Sequence, residues 1–567
     1  MKAVGVAVHI FLFLFVAWGG EDMERLAPAN LPKLQVFFEQ YPALLNYSNN
    51  PAWTPLHLAA FNGNANLCRK LLEKGAKSNA KSTFGLTPLH AAAVGGSLEA
   101  AGILLTYSAE IDARDEAANT PLLCACRGGD LQMVRFLAKQ KADLNMASQD
   151  GATPLIAAIQ AKAPAIVQFL LEHGAEASLK TSRGTALHVA AEKGDAASIQ
   201  SLLTAKADLE RRDNQGLTPL LRAALSGRAQ TLQFLLAHGA SLSPRTKTFC
   251  SAMHLAAQGG SVEVLDLLLK LGARADVQDK DNAVPLHYAC AFGRLDAATF
   301  LLEHGARPDD VAGGRFGTPL HCVAYAGGII PSIVGSSTNS GTIQLTVDPS
   351  VFPKIAVLLL EHGAKVTSSD AQKQTPLHIA AGFGSDALVV LFLARSSDVD
   401  QRDGHGQTAL HTAAKGGSTN ILGLLLNHGA ELEARDAKGL TPLCAAAERG
   451  KLDALRFLLS QGAKTNVKDN NGALPLHWSS LNGHVEAAAE LLKYHPDINS
   501  QDAFGYTPLH AAVKMGREKV VQLLLSEKPA LHTQSQQGLS PWQDANKAGF
   551  TRIADLLRAA ERQVMLR

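Results

Sequence analysis

The sequence predicts an all-α repeat solenoid. Three observations carry that expectation. A segment of the form Thr-Pro-Leu-His returns about every 33 residues, glycines punctuate each return at fixed places, and paired leucines follow. With its variants the segment starts at Thr54, Thr87, Thr120, Thr153, Thr185, Thr218, Ser251, Val284, Thr318, Thr375, Thr408, Thr441, Leu474, Thr507 and Ser540, fifteen units in all. The steps are 33 residues except for 32 (Thr153 to Thr185), 34 (Val284 to Thr318) and 57 (Thr318 to Thr375).

Each part of the unit has a physical reading. Thr before Pro is a helix start, because the hydroxyl can cap a free backbone N–H and Pro at the first helical position gives up no hydrogen bond. The alanines after His let a neighbouring helix approach closely. Glycine then suits a left-handed cap, as at Gly63, Gly194 and Gly450. A second helix carries leucine pairs such as Leu71-Leu72, Leu104-Leu105 and Leu524-Leu525, and Gly75, Gly174, Gly239 and their equivalents end it. Between units, Asp sits five residues before the next start in eight places: Asp115, Asp213, Asp279, Asp370, Asp403, Asp436, Asp469 and Asp502. Gly commonly follows, which is turn chemistry. Helices of about ten residues do not persist alone in water, so each unit must bury its apolar face against its neighbours.

The stretches Thr87-Pro-Leu-His-Ala-Ala, Thr375-Pro-Leu-His-Ile-Ala-Ala and Leu-Leu-Glu-His-Gly-Ala endings such as Leu171–Ala175 resemble the ankyrin repeat family over roughly residues 31–567. The resemblance implies an all-α ankyrin-repeat solenoid of paired antiparallel helices with β-hairpin-like fingers between units. It implies that His57, His90, His188, His254, His287, His321, His378, His411, His477 and His510 tie adjacent units together. It also implies a concave face, lined by fingers and first helices, that binds a protein. On that face the candidate partner-binding residues are Phe84, Arg114, Arg212, Arg245, Lys247, Phe249, Arg315, Phe316, Arg402, Arg435 and Phe504, since exposed aromatics and arginines are favoured anchors. Lys468 lies in a further finger. The irregular finger Ser241–Cys250 is the preferred local candidate.

The expected organisation follows the repeats. It is a signal-peptide-like segment over 1–19, a linker and N-terminal capping helix over 20–50, and repeats over 51–328. A Ser/Gly/Thr-rich insertion loop over 329–353 follows, then repeats over 354–550 and a C-terminal capping helix over 551–567. The first segment has Lys2, an apolar run from Val6 to Trp18 broken by His9, and small residues beyond. That run is too short for a comfortable membrane span, so no integral span is expected after cleavage. Localisation is secretory or extracellular if the segment acts as a signal, and otherwise cytoplasmic.

Catalytic and cofactor chemistry find little support. The 567 residues are 46% apolar and 18% charged, with Lys+Arg 53 against Asp+Glu 51, so the electrostatic case for nucleic acid is missing. The seven cysteines fall at repeat positions, Cys68, Cys250, Cys290, Cys322 and Cys444 as small apolar fillers and Cys124 and Cys126 on different sides of one helix, with no Cys-X-X-Cys. Gly313–Gly317 lacks the Gly-Lys-Ser/Thr ending of a phosphate loop. The insert Ile329–Ser350 holds no His, Cys, Glu, Lys or Arg and so has little acid–base capacity. The expectation is a monomeric, non-enzymatic scaffold for a protein partner, without cofactor or metal. The alternatives are an adaptor recruiting substrates to a larger complex such as a ubiquitin ligase, or a secreted effector.

Overall fold

The computed structural model describes residues 53–313, 316–333, 348–395 and 398–565. The segments expected over 1–19 and 20–50 lie outside them. The chain divides into two compact units, one of residues 1–223 and 228–244 and one of 224–227 and 245–567.

Within the first unit the helix Pro55–Phe61 is followed by Ala65–Glu73, and Pro88–Gly95 by Leu98–Thr106. The pair members touch each other, and each also touches its counterpart one repeat along. The second unit is built alike, as in Ala409–Gly416 with Thr419–Asn427 and Pro442–Arg449 with Leu452–Ser460. Thirty helices stand among the described residues, making the chain all-α.

Small side chains set the closeness of the first helices. Ala59 and Ala60, Ala92 and Ala93, Ala190 and Ala191, Ala380 and Ala381, and Ala446 and Ala447 are all buried at equivalent places. Leucines fill the layer between second helices: Leu104, Leu137, Leu170 and Leu202 in the first unit, and Leu425, Leu458, Leu491 and Leu524 in the second, are fully buried. Packing is therefore between like positions of successive repeats, which is how short helices bury enough surface to persist.

The fingers are tight turns rather than β-hairpins. Isolated antiparallel bridges occur at Thr181–Gly184 and Ala312–Gly317, and no longer ladder occurs among the described residues. The reason is the Asp. Its Oδ1 accepts two turn amides, as Asp213 does from Gln215 and Leu217 (both 2.9 Å) and Asp436 from Lys438 (2.8 Å) and Leu440 (2.9 Å), closing the turn within five residues. Ser82 and Thr246 do the same work with a hydroxyl.

Consecutive fingers meet backbone to backbone. Glu116 N–H donates to the Phe84 carbonyl (3.0 Å), and Ala437 N–H to that of His405 (2.9 Å). That contact requires glycine at Gly406, where φ is +72° and a Cβ would stand 2.7 Å from the Ala437 nitrogen. Gly406→Ala is expected to destabilise the second unit by about 2 kcal/mol. A urea-unfolding midpoint equal to that of the parent protein would contradict it.

The insertion differs from its expected bounds. The first helix of that repeat is Pro319–Ile333, 15 residues instead of the usual seven or eight, so it takes in the first part of the expected loop. The next helix, Val351–Glu361, begins before residue 353. At the far end, Thr551–Met565 buries Ile553, Ala554 and Leu557 and exposes Arg552, Asp555, Arg558 and Arg562.

Candidate functional site

The ten histidines of the recurring segment form one repeated bridge. At each, Nδ1 lies 3.0 to 3.2 Å from the backbone N–H of the residue that starts the repeat. An amide can only donate, so Nδ1 accepts and the proton sits on Nε2. That N–H donates to a carbonyl of the following finger: His57 to Leu86, His90 to Asn119, His188 to Leu217, His254 to Ala283 and His287 to Gly317. The other five follow suit, His321 to Gln374, His378 to Gln407, His411 to Leu440, His477 to Tyr506 and His510 to Leu539. Burial holds every one of these imidazoles below its usual value, His254 at about 4, so they are neutral.

Where the histidine is missing, the start residue caps alone. Thr120, Thr153, Thr218 and Thr441 accept the third helical amide at 3.2 to 3.4 Å. In the last repeat Gln543 Oε1 takes the Ser540 amide (2.8 Å) instead. Five further histidines, His173, His238, His304, His362 and His428, close the ends of second helices by donating Nδ1–H to the carbonyl four residues back. Repeat structure thus occupies fifteen of the 20 histidines. The thiols of Cys68, Cys124 and Cys444 are pushed up by burial to about 12, 11 and 11, away from nucleophilic thiolate.

Two further ladders escaped the sequence reading. Asn79, Asp112, Asn145, Asp400, Asn466 and Asn499 each accept a backbone amide 31 residues on, at 2.7 to 3.2 Å. Arg228, Arg294 and Arg517 each donate Nε–H to the carbonyl 36 residues back, at 3.1 Å. The signal was present as small acceptors and basic residues recurring at the repeat period.

This architecture decides the family. The family model for ankyrin repeats, in three copies, matches residues 30–115, 109–181, 177–246, 244–312, 352–436, 377–469, 443–535 and 489–564. The chain belongs to the ankyrin repeat family. No curated protein matches it. Ankyrin repeats generally mediate protein–protein interaction and are typically non-enzymatic modules. Among the described residues, no helix of this ankyrin protein is long and apolar enough to cross a membrane.

The candidate partner-binding residues separate into three groups. Phe84, Phe249 and Phe504 are well exposed, at 58, 61 and 56%, and Lys247 is exposed beside Phe249. Others are turned to internal use. Arg114 donates to the Ala147 carbonyl of the next finger (2.8 Å), Arg212 to Gly216 of its own (3.1 Å), and Arg402 and Arg435 to the carbonyls of Arg435 and Lys468. Arg245 is half-buried rather than at an open tip. Phe316 is a correction: it is half-buried, its ring 5.9 Å from that of Tyr288 and 6.5 Å from that of His287, so packing claims it. Arg315 lies outside the described residues.

Phe249 has a further property. Its φ is +62°, left-handed, at a position where Gly85, Gly216 and Gly406 have φ of 73, 82 and 72°. A bulky side chain in that conformation is strained by about 1–2 kcal/mol.

Proposed function

We propose that this ankyrin protein is a non-enzymatic scaffold holding a protein partner on the concave surface that fingers and first helices form within a unit. The observation that carries the reading is Phe249. A ring that is 61% exposed on left-handed backbone contributes little to the fold and costs it strain. Side chains kept on such terms cluster at contact sites, and large rigid aromatics are the anchors partners use. The histidine bridges from each first helix to the following finger order the surface beforehand, which lowers the entropy lost on binding.

Phe249→Gly separates stability from binding. Glycine relieves the strain and adds some unfolded-state entropy, so the thermal midpoint is expected to hold or rise, equivalent to about 0.5 kcal/mol. Partner recovery, read by affinity capture with cross-linking and mass spectrometry, is expected to fall at least about fivefold. Gln522→Ala, on a second helix, serves as the control. Undiminished recovery with Phe249→Gly, Phe84→Ala and Phe504→Ala combined would defeat the reading.

A further inference from the structure

The second unit carries a row of cations with carbonyl but no carboxylate partners on consecutive fingers. Arg402, Arg435 and Lys468 are exposed and 33 residues apart. Each reaches along the finger edge to the next: Arg402 Nη1 to the Arg435 carbonyl, Arg435 Nη2 to the Lys468 carbonyl, and Lys468 Nζ to the Gln501 carbonyl (3.4 Å). These bonds hold the side chains in line. Among the described residues none of the three lies within ion-pair distance of a carboxylate.

At the same place, six residues before each start, the first unit holds Lys81, Arg114, Ala147, Leu179 and Arg212, so no three cations follow one another there. In the row the fingers' own acids, Asp403, Asp436 and Asp469, are 5, 7 and 5% exposed, and each spends Oδ1 on two turn amides. The first helices of these three repeats add Lys415 and Arg449 against a single acid, Glu448, and Lys438 is exposed on the middle finger.

Resting on the reading above, we infer that this row receives an extended acidic segment of the protein partner, with carboxylates at every third residue. Helices pack about 8–10 Å apart, so cations repeat at roughly that spacing. A chain extended in the polyproline II form rises about 3.1 Å per residue with three residues per turn, so every third side chain falls on one face at roughly the cation spacing. Guanidinium groups match carboxylates in geometry as well as charge. A nucleic acid strand fits less well, since the fingers 402–407, 435–440 and 468–473 carry no Phe, Tyr or Trp on which bases would stack.

The test uses the full chain and three fluorescein-labelled probes followed by polarisation. One is a twelve-residue Ser/Gly peptide with Glu at every third position, one has the same composition with its Glu residues clustered, and one is an oligouridylate. The spaced peptide is expected to bind at least about fivefold more tightly than the clustered one. R402Q/R435Q/K468Q is expected to weaken it at least about tenfold. K438Q/R449Q, which leaves the finger-to-finger bonds intact, is expected to weaken it about threefold. Equal binding of the two peptides, variants that bind as the parent does, or tighter binding of the oligouridylate each overturns the inference. Partner capture that still depends on Phe249 would leave the scaffold reading standing in that event. Capture indifferent to the exposed aromatics would remove the scaffold reading by itself.

Discussion

His411→Ala is expected to cost about 3 kcal/mol of local stability in the second unit. The imidazole accepts from the Thr408 amide at 3.2 Å and donates to the Leu440 carbonyl at 2.9 Å, both deep in the stack. Truncation leaves a buried donor and a buried acceptor unpaired, each costing about 1–3 kcal/mol. The loss should be local, because a solenoid is held by nearest-neighbour contacts. Hydrogen exchange read peptide by peptide therefore measures it better than a single global transition. Protection is expected to drop in the first helices Ala409–Gly416 and Pro442–Arg449 and to hold in the first unit. Gln at 411 should recover part of the loss, since Gln543 already caps Ser540 in this chain. Exchange around Thr408 and Leu440 that is unchanged in His411→Ala would show that the bridge is not stabilising.

Much of this was legible in the sequence because repetition multiplies a weak local signal. One Thr-Pro-Leu-His is a modest helix start, but fifteen such starts in register, ten of them with the histidine, define both helices, their caps and the histidine's place. The second-helix leucines and the Asp turns were readable for the same reason: periodicity reports which face is buried. Side-chain direction at the fingers was less readable. Arg114, Arg402 and Arg435 look like free anchors in sequence, yet each reaches a carbonyl one finger away, a contact set by the stacking distance. Phe316 and Phe249 occupy comparable finger positions, but Tyr288 lies under the first, while the second stands exposed on left-handed backbone. The long first helix Pro319–Ile333 was also hidden, since the glycines that end other first helices are embedded here. Gly327 packs there, with a Cβ in its place falling 2.9 Å from Leu388 Cδ1.

Acidification from pH 7.5 to 5.0 is expected to weaken the array strongly. The ten bridging imidazoles are all depressed, chiefly by burial, below the 6.5 of the unfolded chain. The unfolded chain thus binds more protons, and stability rises with pH through this window. The contribution is complete above 6.5 and is lost as pH falls toward the folded value, about 4 for His254. At about 1.4 kcal/mol per pH unit, His254 alone removes about 2 kcal/mol between pH 6.5 and 5, and the other nine act in the same sense. Their surroundings do not reverse the sign. Asp279 favours the charged form of His254, but Arg245 and His287 oppose it; His321 has Asp370 on one side and His287 and His378 on the other. Asp112, Asp400 and Asp544, raised by burial, work oppositely, but theirs is the carboxylate range. Protonation has a geometric consequence too: a proton on Nδ1 would face the amide N–H that it now accepts, so a charged imidazole must leave its cap. The consecutive bridges His254, His287, His321, His378 and His411 should open before the histidine-free starts at Thr120, Thr153 and Thr441, and hydrogen exchange at the two pH values would show that order. A five-site His→Gln variant should show a much flatter dependence of the thermal midpoint on pH, even if less stable throughout. A midpoint that stays level or rises on acidification of the parent protein would mean that the bridges accept protons without opening.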